Sequence, residues 1–350
     1  MRRFRLIFLV WSWGLILPST AQQFTRGTLE GNYGWILPHS PELRPFSNTH
    51  PIGFSGHYQV METDSSAWSA CNCWHYLGLK LSYHNFANPQ VLGSAVSLSG
   101  TFEPILWRSG RSSLSLLTGM GLSYLNRIYE ENSNPDNLFF SAPISFLLFV
   151  TPRFEYALTD NISLTASLSY NHISNGGRSK PNKGINYPML GLGVTHYFQK
   201  TALPVYSKNQ TGKQWTAYVD LGFTNKDAAE GEGRKPVWNL SIGGLRGLSP
   251  INGLGGGLES TFDQSFPGDN RDGSFIFAPY LAHHFLFGRF DFSQRMGYYL
   301  SRPIGFEPAH NFYQRYLLTY RLGTHFGLGL SLKAHGHVAQ NIDIRLAWRF

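Results

Sequence analysis

Charged residues are scarce in this chain of 350 residues. Asp, Glu, Lys and Arg together make up 14% of it, whereas a soluble domain typically carries about 25%. Beyond the N-terminal segment, no apolar run approaches the roughly 20 residues that a transmembrane helix needs. No long segment has helical periodicity either. These absences argue against an ordinary soluble domain and against a membrane protein built from helices.

Cysteine is almost absent, and its two copies, Cys71 and Cys73, lie in the segment SACNCW. Two cysteines are too few for a zinc site. On an extended segment they share one face, where a strained disulfide can form. His335 and His337 also share a strand face, but no third ligand accompanies them. We therefore expect no metal and no organic cofactor.

The N-terminal segment MRRFRLIFLVWSWGLILPSTAQQ has the composition of a secretory signal peptide. It begins with arginines, continues with an apolar run from Leu6 to Leu17, and ends in small residues up to Ala21. We expect residues 1–21 to be removed by cleavage after Ala21. The alternative is an uncleaved membrane anchor, but the apolar run is short for a span.

Short segments of alternating polarity fill the rest of the chain. The last of them, NIDIRLAWRF, ends in Phe, as the terminal strand of bacterial outer-membrane barrels does. Its apolar face consists of Ile342, Ile344, Leu346, Trp348 and Phe350. Similar segments recur about every 12–20 residues, and aromatic residues reach 15%. The pattern predicts an all-β protein, a transmembrane antiparallel β-barrel of the bacterial outer membrane with roughly 12–16 strands.

We expect residues 22–350 to form a single barrel domain. The polar segments SKNQTGKQ and KDAAEGEGRK could instead link two domains, but strands of the same kind continue on both sides without a change in composition. Short connections such as Thr159–Asn161 are typical of periplasmic turns, and long polar ones are typical of extracellular loops.

The net charge of the chain is +8 at pH 7. A basic chain could bind nucleic acid, but export from the cell makes nucleic acid an unsuitable partner. Anionic lipid head groups are the expected partners, because they attract basic surfaces. The sequence does not predict an oligomeric state.

The segment NISLTASLSYNHISNGG, residues 161–177, extends an apolar strand face with a polar pair. After Leu168 and Tyr170, the same face carries His172 and Ser174. Polar residues are ordinary where a barrel rim meets lipid head groups. A histidine within reach of a serine hydroxyl can also act as its base, and the following glycines can supply free backbone donors.

The run HISNGGRSKPNKGIN, from His172 to Asn186, resembles the signature of the lipid A 3-O-deacylases, which are outer-membrane serine esterases. Shared features are His-x-Ser-Asn-x-Gly followed by Pro-Asn-x-Gly at matching spacing. Segments such as NYGWILPHSPE and LGLSLKAHGHVAQNIDIRLAWRF resemble longer, acyloxyacyl-hydrolase-type relatives. The resemblance implies a barrel whose active site lies on the outside of the wall and faces the outer leaflet.

The resemblance also assigns roles to individual residues. Ser174 matches the nucleophile and His172 the general base, while Asn175 and Gly177 match positions of the oxyanion hole. The implied reaction is hydrolysis of an ester-linked acyl chain, the 3-hydroxyacyl group at position 3 of lipid A. Lipid A or lipopolysaccharide would be the substrate.

This chain departs from the family pattern at Asn186, where the best-known members have an acid that orients the histidine. Asn can orient an imidazole by hydrogen bonding, but it cannot stabilise imidazolium by charge. Glu155 or Asp160 could supply the missing charge. Arg178 and Lys180 could contact lipid A phosphates, or they could be ordinary loop charges.

A non-enzymatic barrel is the competing interpretation: a channel, an uptake protein or a degenerate relative that keeps the motif for structure. A channel should have a wide lumen lined by charges. An enzyme of this type should instead have a filled lumen and a groove on the outer wall beside His172.

Overall fold

The structure is a computed structural model that describes residues 23–176, 179–200, 202–207, 215–228, 233–249, 251–265, 274–302, 311–336 and 338–350. The predicted signal peptide lies outside these ranges. Helical segments in this part of the chain are short: a 3-10 turn at Pro41–Leu43, α1 at Arg44–Ser47 and α2 at Ser65–Cys71. None of the described helices is long and apolar enough to cross a membrane.

Strands dominate the described residues, as the alternating polarity predicted. The first eight are β1 Gln23–Gly34, β2 Ile52–Glu62, β3 His75–Asn85, β4 Ser94–Ser109, β5 Ser112–Leu125, β6 Ile144–Ala157, β7 Ile162–Ser174 and β8 Ile185–Gln199. The second eight are β9 Trp215–Asp227, β10 Arg234–Gly247, β11 Asn252–Asp263, β12 Ser274–Phe287, β13 Phe290–Tyr298, β14 Phe312–Arg321, β15 Phe326–His335 and β16 Val338–Arg349.

The strands close into two antiparallel barrels of eight strands each, so the prediction of a single barrel was wrong. β8 pairs back onto β1 and completes the first barrel, while β16 pairs back onto β9 and completes the second. The segment SKNQTGKQ belongs to the connection between the two barrels. KDAAEGEGRK instead joins β9 to β10, since Lys226 and Lys235 are cross-strand partners.

The strands of both barrels place apolar side chains outside and polar ones inside, as the alternation predicted. In β7, Leu164 is 47% exposed while Thr165 is 2% exposed. In β16, Ile344 is 60% exposed while Arg345 is fully buried. Such a wall suits a barrel surrounded by lipid.

Both lumens contain networks of buried ion pairs. In the first barrel, Arg153 Nη2 lies 3.1 Å from Glu30 Oε2 and Arg153 Nη1 lies 3.3 Å from Glu103 Oε2. In the second barrel, Arg315 Nη2 lies 2.9 Å from Glu259 Oε1. Because eight-stranded barrels are just wide enough for side chains to fill, these networks argue for packed interiors and against the channel interpretation.

Each barrel has a turn end and a loop end. In the first barrel, the turn end contains the tight connection between β6 and β7, where Leu158 N–H donates to the Ile162 carbonyl over 2.8 Å. The loop end is the opposite rim, where β7 ends at Ser174. In the second barrel, the turn end contains the Gly288–Arg289 turn, and β15 ends at the loop end with His335.

A buried apolar cluster closes the loop end of the first barrel, and we call it the loop-end cluster. It combines strand ends with connecting segments: Ile36, Leu43, Phe86, Leu92, Ala95, Leu117, Leu125, Phe139, Phe140, Leu147, Phe149, Ile173, Ile185, Tyr187 and Met189. Ile173 and Ile185 face inward into this cluster next to His172 and Asn186. The predicted site therefore rests on a packed core.

The turn ends of the two barrels touch through α2. Asp64 caps this helix by accepting a hydrogen bond from Ala67 N–H over 2.7 Å. At the other end of α2, the Ala70 carbonyl accepts from Arg289 N–H in the second barrel over 2.5 Å. Cys71 and Cys73 form a disulfide just after this contact.

Candidate active site

The register of β7 and β8 brings His172 and Asn186 together. They are cross-strand partners, and both are half-buried on the outer face of the wall. His172 Nδ1 lies 2.7 Å from Asn186 Oδ1. Because an amide oxygen only accepts, Nδ1 must carry the proton, which leaves Nε2 with the lone pair that a base requires. The contact is the one that the resemblance implied.

Ser174 follows His172 on the same face, at the end of β7. Gly184, in the loop that returns to β8, shows how close the two side chains lie. A Cβ added to Gly184 would lie 2.9 Å from His172 Cε1 and 3.2 Å from Ser174 Cβ. Gly184 also has a φ of +69°, a conformation that favours glycine. Imidazole and serine therefore border the same small space, kept open by a glycine.

An apolar surface continues from this pair along the outer wall. Phe146 on β6 is the cross-strand partner of Ser174, and Leu148 is the partner of His172. Tyr170 precedes His172 on the same face of β7. All three side chains are exposed on the outside of the barrel. Together they form an apolar surface that extends from Ser174 toward the middle of the barrel wall.

Asn175 serves as the anchor of the loop that follows β7. Its backbone N–H donates to Asn182 Oδ1 over 3.0 Å. Its buried side-chain amide donates to the Ser179 carbonyl over 2.9 Å and to Ser141 Oγ over 3.2 Å. The backbone N–H and the side-chain amide nitrogen of Asn175 are thus both engaged, so an oxyanion would have to compete with Asn182 for the backbone N–H.

Three other predicted site residues belong to this loop. Gly177 and Arg178 lie outside the described residues. Lys180 is exposed on the loop, at the rim of the barrel. The assignments of Gly177 to the oxyanion hole and of Arg178 and Lys180 to substrate phosphates stay predictions.

Glu155 and Asp160, considered as substitutes for the missing acid, are both far from His172. Glu155 points into the lumen, where it accepts from Arg26 Nη1 over 2.9 Å. Its cross-strand partner Thr165 precedes His172 by seven residues, or about 23 Å along the strand. Asp160 lies in the turn between β6 and β7, at the opposite end of the barrel. The expectation that either one assists His172 was wrong.

His39 is a neighbour of the site that motif analysis missed. Its Nδ1 lies 3.3 Å from Asn186 Nδ2. Lys183, which precedes β8, contacts the segment that follows His39: its Nζ lies 2.9 Å from Glu42 Oε2 and 3.4 Å from Ser40 Oγ. Local sequence gives no signal for these contacts, since they join positions more than 140 residues apart.

Among the described residues, one group of side chains that could bind a metal lies at the turn end of the first barrel. It consists of Cys71, Cys73 and His75, whose ligand atoms lie within 4.8 Å of one another. The two sulfurs are joined in a disulfide, and a thiolate rather than a disulfide sulfur is the metal ligand. The disulfide form of Cys71 and Cys73 therefore offers no thiolate to a metal.

Comparison with known families assigns the two barrels separately. The family model described as lipid A 3-O-deacylase (PagL) matches residues 52–195, which covers most of the first barrel. The model described as acyloxyacyl hydrolase, C-terminal domain, matches residues 213–350, which contain the second barrel. The fold and these matches define a β-barrel protein of the bacterial outer membrane. Within that class, the first barrel is similar to the lipid A 3-O-deacylases and the second to the C-terminal domain of acyloxyacyl hydrolases.

Solved structures of outer-membrane proteins also resemble the chain. The outer membrane enzyme PagL has 13% sequence identity and a TM-score of 0.36, with 47% of this chain and 97% of that chain covered. Neisserial surface protein A has 14% identity and a TM-score of 0.34, with 50% of this chain and 97% of that chain covered. No curated protein matches the sequence.

Proposed function

We propose that this protein is an outer-membrane serine esterase that removes the ester-linked 3-hydroxyacyl chain from position 3 of lipid A. The family matches support a deacylase. The observation that carries the proposal is the hydrogen bond between His172 Nδ1 and Asn186 Oδ1 beside Ser174, on a wall that faces lipid.

In the proposed reaction, Ser174 Oγ attacks the ester carbonyl carbon while its proton moves to His172 Nε2. Collapse of the tetrahedral intermediate breaks the bond to the sugar oxygen, which takes the proton back from Nε2. Water, deprotonated by Nε2, then attacks the acyl-serine ester; the bond to Ser174 Oγ breaks, Oγ takes the proton back from Nε2, and the fatty acid is released. Asn186 orients the imidazole throughout, and backbone donors of the turn at Asn175 and Gly177 would bind the oxyanion.

The acyl chains and the phosphorylated sugars of lipid A would each contact a suitable part of the protein surface. The acyl chain would lie along Phe146, Leu148 and Tyr170, which already face hydrocarbon. The phosphorylated sugars would lie at the rim, where Arg178 and Lys180 would supply positive charge. A lipid substrate held at the outer wall needs no cavity in the barrel.

Mass spectrometry of lipid A from cells that express the protein tests this proposal. We expect the wild-type protein to remove the mass of one 3-hydroxyacyl chain, and Ser174→Ala to leave lipid A unchanged. A lipid A precursor that lacks the 3-linked chain should not be shortened. Unchanged lipid A with properly inserted wild-type protein would overturn the deacylase, and loss of a different chain would overturn the position.

We also propose that the loop end faces the outside of the cell, so that the site meets the outer leaflet. An epitope inserted after Glu131, in the loop between β5 and β6, should be labelled on intact cells. The same epitope at Gly110, in the turn between β4 and β5, should be labelled only after permeabilisation. The reverse result would contradict this orientation.

A further inference from the structure

A cavity of about 330 Å³ lies at the turn end of the first barrel, opposite the end that carries His172 and Ser174. Its rim is formed by the turn between β4 and β5, the turn between β6 and β7, and Lys200 after β8. Charged side chains of this rim are exposed, whereas residues deeper in the lumen are buried. The volume is at the lower end of the range for sites that bind small molecules.

The inner wall of the cavity has balanced charges. Arg26 lies there, with Nη2 2.7 Å from Glu103 Oε2 and Nη1 2.9 Å from Glu155 Oε2. Arg153 Nη1, 3.3 Å from Glu103 Oε2, continues this network into the lumen. A ligand would therefore enter from the turn end and stop at Arg26.

The rim, by contrast, has an excess of positive charge. Arg108, Arg111 and Lys200 line it, and Asp160 is the acid among its residues. Within the described part of the chain, the side chains of Arg108 and Arg111 have no hydrogen-bonding or ion-pair partner. Guanidinium groups are well suited to bind phosphate oxygens, because their planar fork of donors matches the phosphate geometry.

Lys200 shows that the positive charges of the rim lie close together. Its Nζ donates to the backbone carbonyl of Asp160 over 2.9 Å and lies 4.6 Å from the centre of the Tyr197 ring. Partial loss of hydration lowers the pKa of Lys200, and the charge of Arg108 lowers it further. The opposing effects of Glu155 and Asp160 are smaller. An anion bound between the two cations would offset their repulsion.

A buried hydroxyl supplies a polar contact inside the cavity. Ser163 lines the cavity and is 1% exposed. Among the described residues, its Oγ has no hydrogen-bond partner. Because burying a hydroxyl without a partner costs free energy, Ser163 favours a ligand that brings a polar oxygen to it.

We propose that this cavity binds a small, water-soluble phosphate ester, with its phosphate at the three cations of the rim and its organic part inside the barrel near Ser163. A phosphate ester carries a charge of about −1.5 to −2 at pH 7, which matches the excess of positive charge. Strands on opposite sides of the barrel, β1, β3 and β5 to β8 among them, line the cavity. It therefore lies inside the lumen, which favours a soluble ester over a membrane lipid. The inference does not depend on the esterase at the other end.

Glycerol 3-phosphate serves as the probe. Isothermal titration of the purified full chain in a neutral detergent should show saturable binding, and glycerol should show none. Arg111→Gln should weaken binding about tenfold, whereas Asp160→Asn should strengthen it a few-fold, because it removes a repulsive charge. No saturable binding by the wild-type protein, or weaker binding by Asp160→Asn, would overturn the inference.

The turn between β12 and β13 provides a matched control in the second barrel. Gly288 and Arg289 correspond to Gly110 and Arg111, since both pairs connect the fourth and fifth strands of a barrel. The two glycines have similar φ values, +57° and +54°. Arg289→Gln removes the same charge from a turn that does not line the cavity, so we expect an affinity within about twofold of wild type. An equal loss in Arg289→Gln and Arg111→Gln would indicate general charge attraction and overturn the inference.

Two further measurements test the placement and the source of the phosphate. Ser163→Ala keeps the charge, and affinity should fall a few-fold; unchanged affinity would contradict a ligand that reaches Ser163. Unfolding temperatures close to wild type would show that each variant is folded. In nanodiscs, replacing phosphatidylglycerol by phosphatidic acid should leave the affinity for glycerol 3-phosphate within about twofold. Competition by phosphatidic acid would assign the cavity to a lipid head group and overturn the soluble ligand.

Discussion

β7 and β15 are the seventh strands of their barrels, and both reach the loop end with a histidine. His172 shares the strand face of Tyr170 and bonds to Asn186 on the outer wall. His335 follows an irregularity in the strand pairing between Lys333 and Ala334, and its Nε2 lies 2.7 Å from the hydroxyl of the buried Tyr299. The two histidines thus differ in their partners: an amide on the outer wall for His172 and a buried phenol for His335.

This difference shows what turns a packed barrel into a candidate esterase. Both barrels have apolar walls and buried ion pairs. In the first, a polar pair occupies the lipid-facing row, and a loop anchored by Asn175 returns Gly184 and Asn186 to it. Chemistry thus depends on the strand face and the loop, while the barrel provides rigidity.

The largest difference in deacylation rate is expected between substitutions of His172 and of His335. His172→Ala should lower deacylation about 10²–10⁴-fold, because it removes the general base. His335→Ala should leave the rate near wild type. Rates of fatty acid release from purified protein check this, and an equal loss in both variants would place the chemistry elsewhere.

Loss of a central arginine in the lumen should lower the stability of either barrel by a similar amount. Arg153→Met in the first barrel and Arg315→Met in the second each remove one cation from a network of buried carboxylates, at a cost of about 3–5 kcal/mol to that barrel. Denaturant titrations of refolded protein in vesicles measure the loss. We expect Arg315→Met to retain deacylation under conditions where its barrel stays folded, and a strong loss there would show that the second barrel shapes the site.

Substituting two glycines of similar backbone conformation, Gly184 and Gly110, should have different effects on kcat. Gly184→Ala places a Cβ 2.9 Å from His172 Cε1, whereas Gly110, with a φ of +54°, has nothing within 4 Å of its Cβ position. Both substitutions strain the backbone by about 1–2 kcal/mol, but only Gly184→Ala should also lower kcat, about tenfold or more. Equal kcat in the two variants would show that Gly184 does not shape the site.

The smallest effect is expected at Glu42. Lys183 and Ser40 lower its pKa to about 2, so the contribution of this bridge is present above pH 4.5 and is lost as the pH falls toward 2. The ratio of wild-type to Glu42→Gln activity should therefore stay close to one and constant between pH 5 and 8. A ratio that changes in this range would mean that Glu42 titrates there.

Alternation alone predicted the strands, the wall facing lipid and the common face of His172 and Ser174, because these depend only on a period of two. It could not predict where a barrel closes. The alternation of apolar and polar residues in β8 is the same whether β8 pairs with β1 or with β9. The sequence pattern therefore could not distinguish two barrels of eight strands from one larger barrel. The motif pointed to Asn186 through spacing, but His39 reaches it through tertiary contacts, among them the packing of Ile36 and Leu43 and the hydrogen bond from Leu37 N–H to the Asn186 carbonyl.

The most direct test compares two serines of one strand. Purified wild-type protein, Ser174→Ala and Ser169→Ala are incubated with lipid A, and released 3-hydroxy fatty acid is quantified. Ser169 faces the lumen and is buried, so we expect Ser169→Ala to release fatty acid at the wild-type rate and Ser174→Ala to release none above background. Release by Ser174→Ala at a rate close to wild type would contradict a nucleophile on the lipid-facing wall.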